Sequence, residues 1–227
     1  MPGASPPRQL ALALDYSESF AREDFVEGPS NASALALIDR WPDWPSRVMA
    51  LTGPQGSGKS HLAAIWAEET GARFVSMRAL DGEHLPSVLA TGALVVEDFS
   101  EGAFDEATLF HLLNLAQQEG ATMLLTARNS PAGWTIGLAD LASRLRAIPA
   151  VALSAPDDRL LRAVIVKLFA DRQLAVDENL IAYLVARMER SFPAARVAVD
   201  RLDREAMRQQ RPVNRALAAE LYRDSAR

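Results

Sequence analysis

The sequence predicts an α/β fold: a parallel sheet with helices on both faces, followed by a small all-helical part. Three observations predict it. From Val48 to Ser154, short apolar runs alternate with amphipathic stretches. A glycine-rich turn, "GPQGSGKS", joins the first apolar run to the first amphipathic one. After Pro156 the apolar runs stop and only helix-period patterns remain.

The elements follow in order. "RVMALT" reads as a buried first strand, and "SHLAAIWAEET" beyond the turn as a helix, with Gly71 placed to end it. "ARFVSM" and "ALVVEDF" read as the second and third strands, the latter richest in β-branched residues. "DEATLFHLLNLAQQE" carries Leu109, Leu112, Leu113 and Ala116 at helical spacing and stops at Gly120. "TMLLTA" is the fourth strand and "AVALS" the fifth. Four helices then follow: "DDRLLRAVIVKLFADRQ", "DENLIAYLVARMER", "ARVAVDRLDREAMRQQ" and "NRALAAELYRD". Asp177 and Asn214 are placed as N-caps, and Pro193 and Pro212 punctuate. The division predicted is a flexible leader over 1–18, an α/β domain over 19–155 and a helical domain over 156–227. The leader opens "MPGASPPR" and continues "QLALAL", with Leu10, Leu12 and Leu14 evenly spaced. Leucines on so polar and proline-rich a stretch fit bait for another protein or a strand packed on its own domain.

Composition narrows the function classes. Hydrophobic residues make up 49%, enough for a sizeable core. There is no cysteine, which rules out disulfides and thiolate metal sites. His61, His84 and His111 lie far apart and show no ligand spacing. No stretch is long enough to span a membrane, and the N-terminus lacks the pattern of a signal peptide, so the expected location is the cytoplasm. The net charge of -5 argues against a DNA-wrapping protein. The part after Pro156 is mildly basic, but acids are interleaved throughout it, as on solvated helix faces.

The chemistry sits in Gly53, Pro54, Gln55, Gly56, Ser57, Gly58, Lys59 and Ser60, which fit G-x-x-x-x-G-K-[ST] at every fixed position. Glycines let the backbone curl and aim N–H groups at phosphate oxygens, and the helix that follows adds its positive end. Lys59 is expected on the β/γ-phosphates and Ser60 on Mg²⁺. The only other lysine in the chain is Lys167, so a lysine at this position is notable. "ALVVEDF" brings Glu97 and Asp98 to the C-terminal edge of the sheet, where open α/β sheets bind ligands. One carboxylate is expected to hold Mg²⁺ through water and the other to polarise the attacking water.

These pieces, with "TMLLTARNSP" and "LADLASRLRA", resemble AAA+ ATPases of the DnaA branch, and within it the Hda-type regulatory inactivators of DnaA. "FVEGPSN", Phe25 to Asn31, resembles the segment this family places beside the adenine, and "DLASRL" its arginine-finger segment, which assigns that role to Arg144. "VDRLDREAMRQQRPVNRALAAEL" resembles the last two lid helices. The resemblance implies strand order 5-1-4-3-2, a helical lid, and bound ADP or ATP with Mg²⁺ over the phosphate loop, His61 and a lid arginine. It also implies a role: with the DNA-loaded sliding clamp, such proteins drive ATP hydrolysis by DnaA and so prevent re-initiation of chromosome replication, in association with the nucleoid and replisome. They bind the clamp through an N-terminal peptide of glutamine and leucines, which "QLALAL" resembles. That assigns polar contacts to Gln9 and apolar ones to Leu10, Leu12 and Leu14.

Three departures bear on the protein's own ATPase activity more than on nucleotide binding. The first acid of the Mg²⁺ pair, usually Asp, is Glu97. Arg128, followed by Asn129, stands at the sensor strand where the family carries an acid. Pro193 takes the place of the lid arginine that touches phosphates, with Arg190 and Arg196 both near enough to substitute. Competing readings are a stand-alone ATPase of the helicase-loader or initiator type and a small-molecule kinase. The first would be expected to carry a further helicase- or DNA-binding domain, and the second needs no helical appendage. Monomer and homodimer both remain open.

Overall fold

The computed structural model describes residues 20–102 and 104–224. The leader peptide, Gln9, Leu10, Leu12 and Leu14 included, lies outside the described residues. Five strands form one parallel sheet: β1 (Val48–Thr52), β2 (Arg73–Ser76), β3 (Ala93–Phe99), β4 (Thr122–Ala127) and β5 (Ala150–Ala152). Their order is β2-β3-β4-β1-β5, the 5-1-4-3-2 arrangement read from the other edge. This is the AAA+ P-loop NTPase fold.

Alternation along the strands explains the layers. On β3, Leu94 and Val96 face one side while Ala93 and Val95 face the other; on β4, Met123 and Leu125 oppose Leu124. The first face packs on α4 (Glu106–Glu119) and α5 (Ala139–Ala147), the second on α1 (Ala32–Asp39) and α2 (Lys59–Thr70). A central strand covered on both faces has no polar side to show, which is why β4 is buried throughout. Gly71 and Gly120 end α2 and α4 in the left-handed conformation, at φ 69° and 68°. The short helix α3 (Leu85–Val88) lies between β2 and β3.

Helices α6 (Asp158–Asp171), α7 (Glu178–Val185), α8 (Phe192–Gln209) and α9 (Arg215–Asp224) share a separate core around Phe169, Leu184, Val199, Leu202 and Leu217. Asp177 caps α7, its carboxylate accepting from Leu180 N at 2.8 Å, and Asn214 accepts from Leu217 N at 3.0 Å. Two boundaries differ from the sequence pattern. The α7 helix stops at Val185 rather than running on to Arg190. Helix α8 starts at Phe192 rather than at Ala195, so Pro193 lies inside its first turn. The first turn has no intrahelical partner for its N–H groups, so proline costs nothing there. Ser191 caps the turn, accepting from Ala194 N at 3.2 Å.

Among the described residues no helix is long and apolar enough to cross a membrane.

Candidate nucleotide-binding cleft

The loop from Gly53 to Gly58 leaves the end of β1 and turns into α2. Gly53 (φ 147°) and Gly58 (φ 99°) adopt backbone conformations that other residues rarely take. At Gly53 a Cβ would also stand 2.3 Å from the carbonyl oxygen of Leu153, the residue that follows β5, so the chain leaving that strand enforces the glycine. Gly53 N donates to Ala127 O and Arg128 O at 3.1 and 3.2 Å, which ties the loop to the end of β4. Lys59 lies across the mouth of the loop, donating from Nζ to Gly53 O at 2.8 Å and Pro54 O at 2.7 Å. Burial pushes its ammonium pKa down, Arg128 pushes it further, and Asp98 opposes both. Ser57 is buried, and its hydroxyl has no hydrogen-bond partner among the described residues.

This loop forms one wall of a cleft of about 1540 Å³. That exceeds the roughly 300–1,000 Å³ of most small-molecule pockets, so the space suits a ligand of nucleotide size with ordered water. Gln55, Gly56, Gly58, Lys59, Ser60 and His61 all line it. Glu97 and Asp98 close the sheet edge. Pairing of β3 with β4 slips between Val96 and Phe99, and Asp98 takes φ 53° there, presenting its carboxylate at the exposed end of the strand. Ser60, Glu97 and Asp98 offer a hydroxyl and two carboxylates. Hard oxygen donors of this kind, few in number, fit Mg²⁺ completed by phosphates and water. Among the described residues no group of three or more His, Cys, Asp or Glu side chains could hold a metal by itself.

A second wall comes from the chain ahead of α1. The His61 ring sits edge-on between Phe20 (5.4 Å) and Phe25 (5.2 Å). Its Nε2 lies 3.0 Å from Ala21 O, so the proton belongs on Nε2. His61 therefore props the segment that precedes "FVEGPSN", a packing role that the motif alone did not reveal. Within "FVEGPSN" itself Asn31 is buried and ties the turn, accepting from Gly28 N at 2.8 Å and donating to Val26 O at 3.0 Å.

The third wall is the helical part. Phe192 N donates to Gly56 O at 3.2 Å, and a Cβ on Gly56 would meet Ser191 and Pro193 at 2.8 and 2.9 Å. Pro193 thus lies directly against the phosphate loop. Of the two arginines near it, Arg196 lines the cleft, 5.6 Å from the Phe20 ring centroid. Arg190 pairs with Asp158 at 2.9 Å and is not among the cleft-lining residues. Arg128 lines the cleft and Asn129 does not.

Sequence reasoning missed the link between the second and third walls. Lys167 of α6 donates to Asp24 at 2.5 Å and to Asp171 at 2.9 Å, and these hydrogen bonds push its pKa up. The scarcity of lysine was the available signal, since both lysines of the chain line this one cleft. Lys167→Met is expected to cost about 1 kcal/mol or less in urea melts, because the pair is partly solvated. A raised lysine pKa means the stabilisation is fully present below the ordinary value of 10.5 and is lost as pH rises through the raised one. Wild type and variant should therefore converge in strong alkali.

Arg144 is not in this cleft. It lies on α5, its guanidinium carbon 5.0 Å from the Phe110 ring centroid and its Nη1 3.5 Å from Gln117 Oε1. Asp140, one turn back, does not pair with it, and among the described residues it makes no ion pair.

No protein-family model matches the chain. Among solved structures it is similar to domain III of the replication initiation protein DnaA from Thermotoga maritima (TM-score 0.72, 17% identity, 90% of this chain and 96% of that one). It is similar to DnaA bound to AMPPCP and single-stranded DNA (TM-score 0.64, 18% identity, 84% and 68%). It is also similar to the RuvB Holliday junction branch migration motor of Thermotoga maritima (TM-score 0.69, 16% identity, 89% and 70%). At these identities the likeness is one of fold.

Proposed function

We propose that this chain is an adenine-nucleotide-bound regulator of the Hda type. It holds ADP or ATP with Mg²⁺ in its own cleft and uses Arg144 to complete the active site of ATP-bound DnaA, acting together with the DNA-loaded sliding clamp. The observation that carries this reading is the separation of Arg144 from the nucleotide cleft. Its guanidinium rests on an aromatic ring and a neutral amide, with no carboxylate neutralising it. An arginine so held can be delivered to a neighbour's phosphates at little cost in broken contacts. Gln9, Leu10, Leu12 and Leu14 are the proposed clamp-binding peptide in the leader, an extended segment whose leucines enter a preformed pocket.

Within the cleft, Lys59 and the loop N–H groups bind the phosphates, and Ser60 with Glu97 and Asp98 holds the cation. Arg196 is the lid arginine that approaches the nucleotide, since Arg190 is engaged with Asp158 outside. His61 shapes the adenine side through Phe20 and Phe25. The deciding experiment mixes the protein, DNA-loaded clamp and ATP-bound DnaA and follows conversion to ADP-bound DnaA. Acceleration is expected; no acceleration refutes the regulatory role. In separate clamp-binding and thermal-melt measurements, Leu12→Ala/Leu14→Ala is expected to weaken clamp binding at least about tenfold while leaving the melting temperature unchanged. A fall in melting temperature would instead place these leucines on the protein's own core.

A further inference from the structure

Helix α5 starts from an unfavourable residue. Its N-cap is Leu138, whose side chain has no oxygen to offer the first N–H groups, where serine, threonine, asparagine or aspartate is usual. Two carboxylates from outside the helix hold its approach instead. Glu106, the first residue of α4, accepts from Gly137 N at 2.9 Å through Oε1 and from Leu138 N at 2.7 Å through Oε2. Glu101, just past β3, accepts from Thr135 N at 2.6 Å. Among the described residues these three N–H groups have no backbone acceptor. A charged acceptor makes such bonds stronger than those between neutral groups, and the Glu106 charge stands at the positive end of α5.

The residues between are pinned as well. The Trp134 ring centroid lies 4.7 Å from that of Phe99, the buried last residue of β3, and Ile136 packs on the same core. Helix α4 also carries the contacts of Arg144. Glu106, Phe110 and Gln117 stand at i, i+4 and i+11 on one face of α4, and the last two meet the guanidinium. Leu141 and Leu145 set the depth of α5 in the core. Apolar contacts are non-directional, so they do not by themselves fix the helix along its axis or about it. Directional bonds at its start do.

We propose that Glu106, supported by Glu101, is a positioning residue for Arg144: its carboxylate fixes the start of α5, and with it the place where the guanidinium is presented to a neighbour's phosphates. This rests on the reading of Arg144 as a residue that acts in trans. Two N–H groups converge on Glu106, so position 106 needs a carboxylate. The isosteric glutamine would turn its own NH₂ toward one of them. A single N–H faces Glu101, so an amide oxygen suffices there.

Two measurements on the full chain test it. One is ADP formation on DnaA with DNA-loaded clamp, resolved into maximal rate and half-saturating DnaA concentration. The other is hydrogen exchange by mass spectrometry on the protein alone. Glu106→Gln is expected to lower the maximal rate about tenfold, with the half-saturating concentration and ADP affinity unchanged. Amides of residues 137–147 should exchange about tenfold faster, while those of the sheet keep wild-type rates. Glu106→Asp should recover part of the rate, Glu101→Gln should match wild type, and Glu101→Ala should show a smaller loss than Glu106→Gln. A wild-type maximal rate in Glu106→Gln overturns the proposal. So does a loss accompanied by faster exchange across the sheet, which makes Glu106 a merely structural residue. If wild-type protein does not accelerate hydrolysis by DnaA, the trans role of Arg144 falls. Exchange then decides alone: a local loss of protection in Glu106→Gln keeps Glu106 as the residue that holds α5, and unchanged protection ends that too.

Discussion

Arg144→Ala is expected to leave folding, nucleotide binding and clamp binding at wild-type levels while nearly abolishing the stimulation of DnaA. Arginine fingers supplied in trans are worth about 10³–10⁵ in rate in the GTPases where they are best understood, because a desolvated guanidinium meets the charge that develops on the transferred phosphoryl group. The structural reason to expect so clean a separation is local. Leu141 and Leu145 anchor α5 in the core, and Arg144, at the edge of that buried stripe, contributes only its stacking on Phe110 and a long contact to Gln117. Removing it takes away surface packing, not a buried ion pair, so stability should change by less than about 1 kcal/mol. Arg144→Lys should fail almost as badly, since an ammonium cannot reproduce the fork. A single-turnover measurement of ADP formation on DnaA, with clamp binding measured in parallel, checks both. Near wild-type stimulation by Arg144→Ala would move the role to the neighbouring Arg146 or end the finger assignment.

The phosphate loop and the strands were legible in the sequence for the same physical reason, whereas the strand order followed only from the family resemblance. Glycines forced by positive φ, and strands buried on both faces, leave local patterns that tertiary contacts cannot disguise. Gly53 illustrates it: the Leu153 carbonyl that excludes a side chain is far off in sequence, but the exclusion is written as a glycine. Lys167, Arg128 and His61 were less legible because their roles depend on what stands opposite. Lys167 meets Asp24 across 143 positions and Arg128 meets Gln55 across 73. No spacing rule links such partners. His61 reads as a phosphate-loop neighbour in sequence, whereas its ring is taken up by two phenylalanines and a carbonyl. Helix α5 shows a third case. Its resemblance to a functional segment was visible, but whether Arg144 faced its own cleft or outward depended on how α5 packs on α4, and only the fold carries that.

Lys59→Ala is expected to separate nucleotide affinity from stability in opposite directions. Loss of a charge-assisted contact to the β/γ-phosphates costs about 1.5–3 kcal/mol, roughly 10- to 150-fold in affinity. The protein without nucleotide should not suffer similarly. Burial and Arg128 both push the Lys59 pKa down, so the folded state disfavours this charge. The penalty is present at neutral pH and is relieved as pH rises from the lowered value toward the ordinary 10.5. Alanine removes the penalty together with the two hydrogen bonds to Gly53 O and Pro54 O, whose oxygens water can reach once the side chain is gone. Melting temperature without nucleotide should therefore stay level or rise slightly, and the alkaline gain expected of wild type should vanish. With saturating ADP and Mg²⁺ the order should invert, because only wild type gains the full binding free energy that adds to stability. Thermal melts of both proteins with and without nucleotide, across neutral to alkaline pH, give all four quantities. Equal ADP-induced stabilisation of the two proteins would remove Lys59 from the phosphate site. A large destabilisation of the nucleotide-free variant would mean that its hydrogen bonds, rather than its charge, dominate the loop.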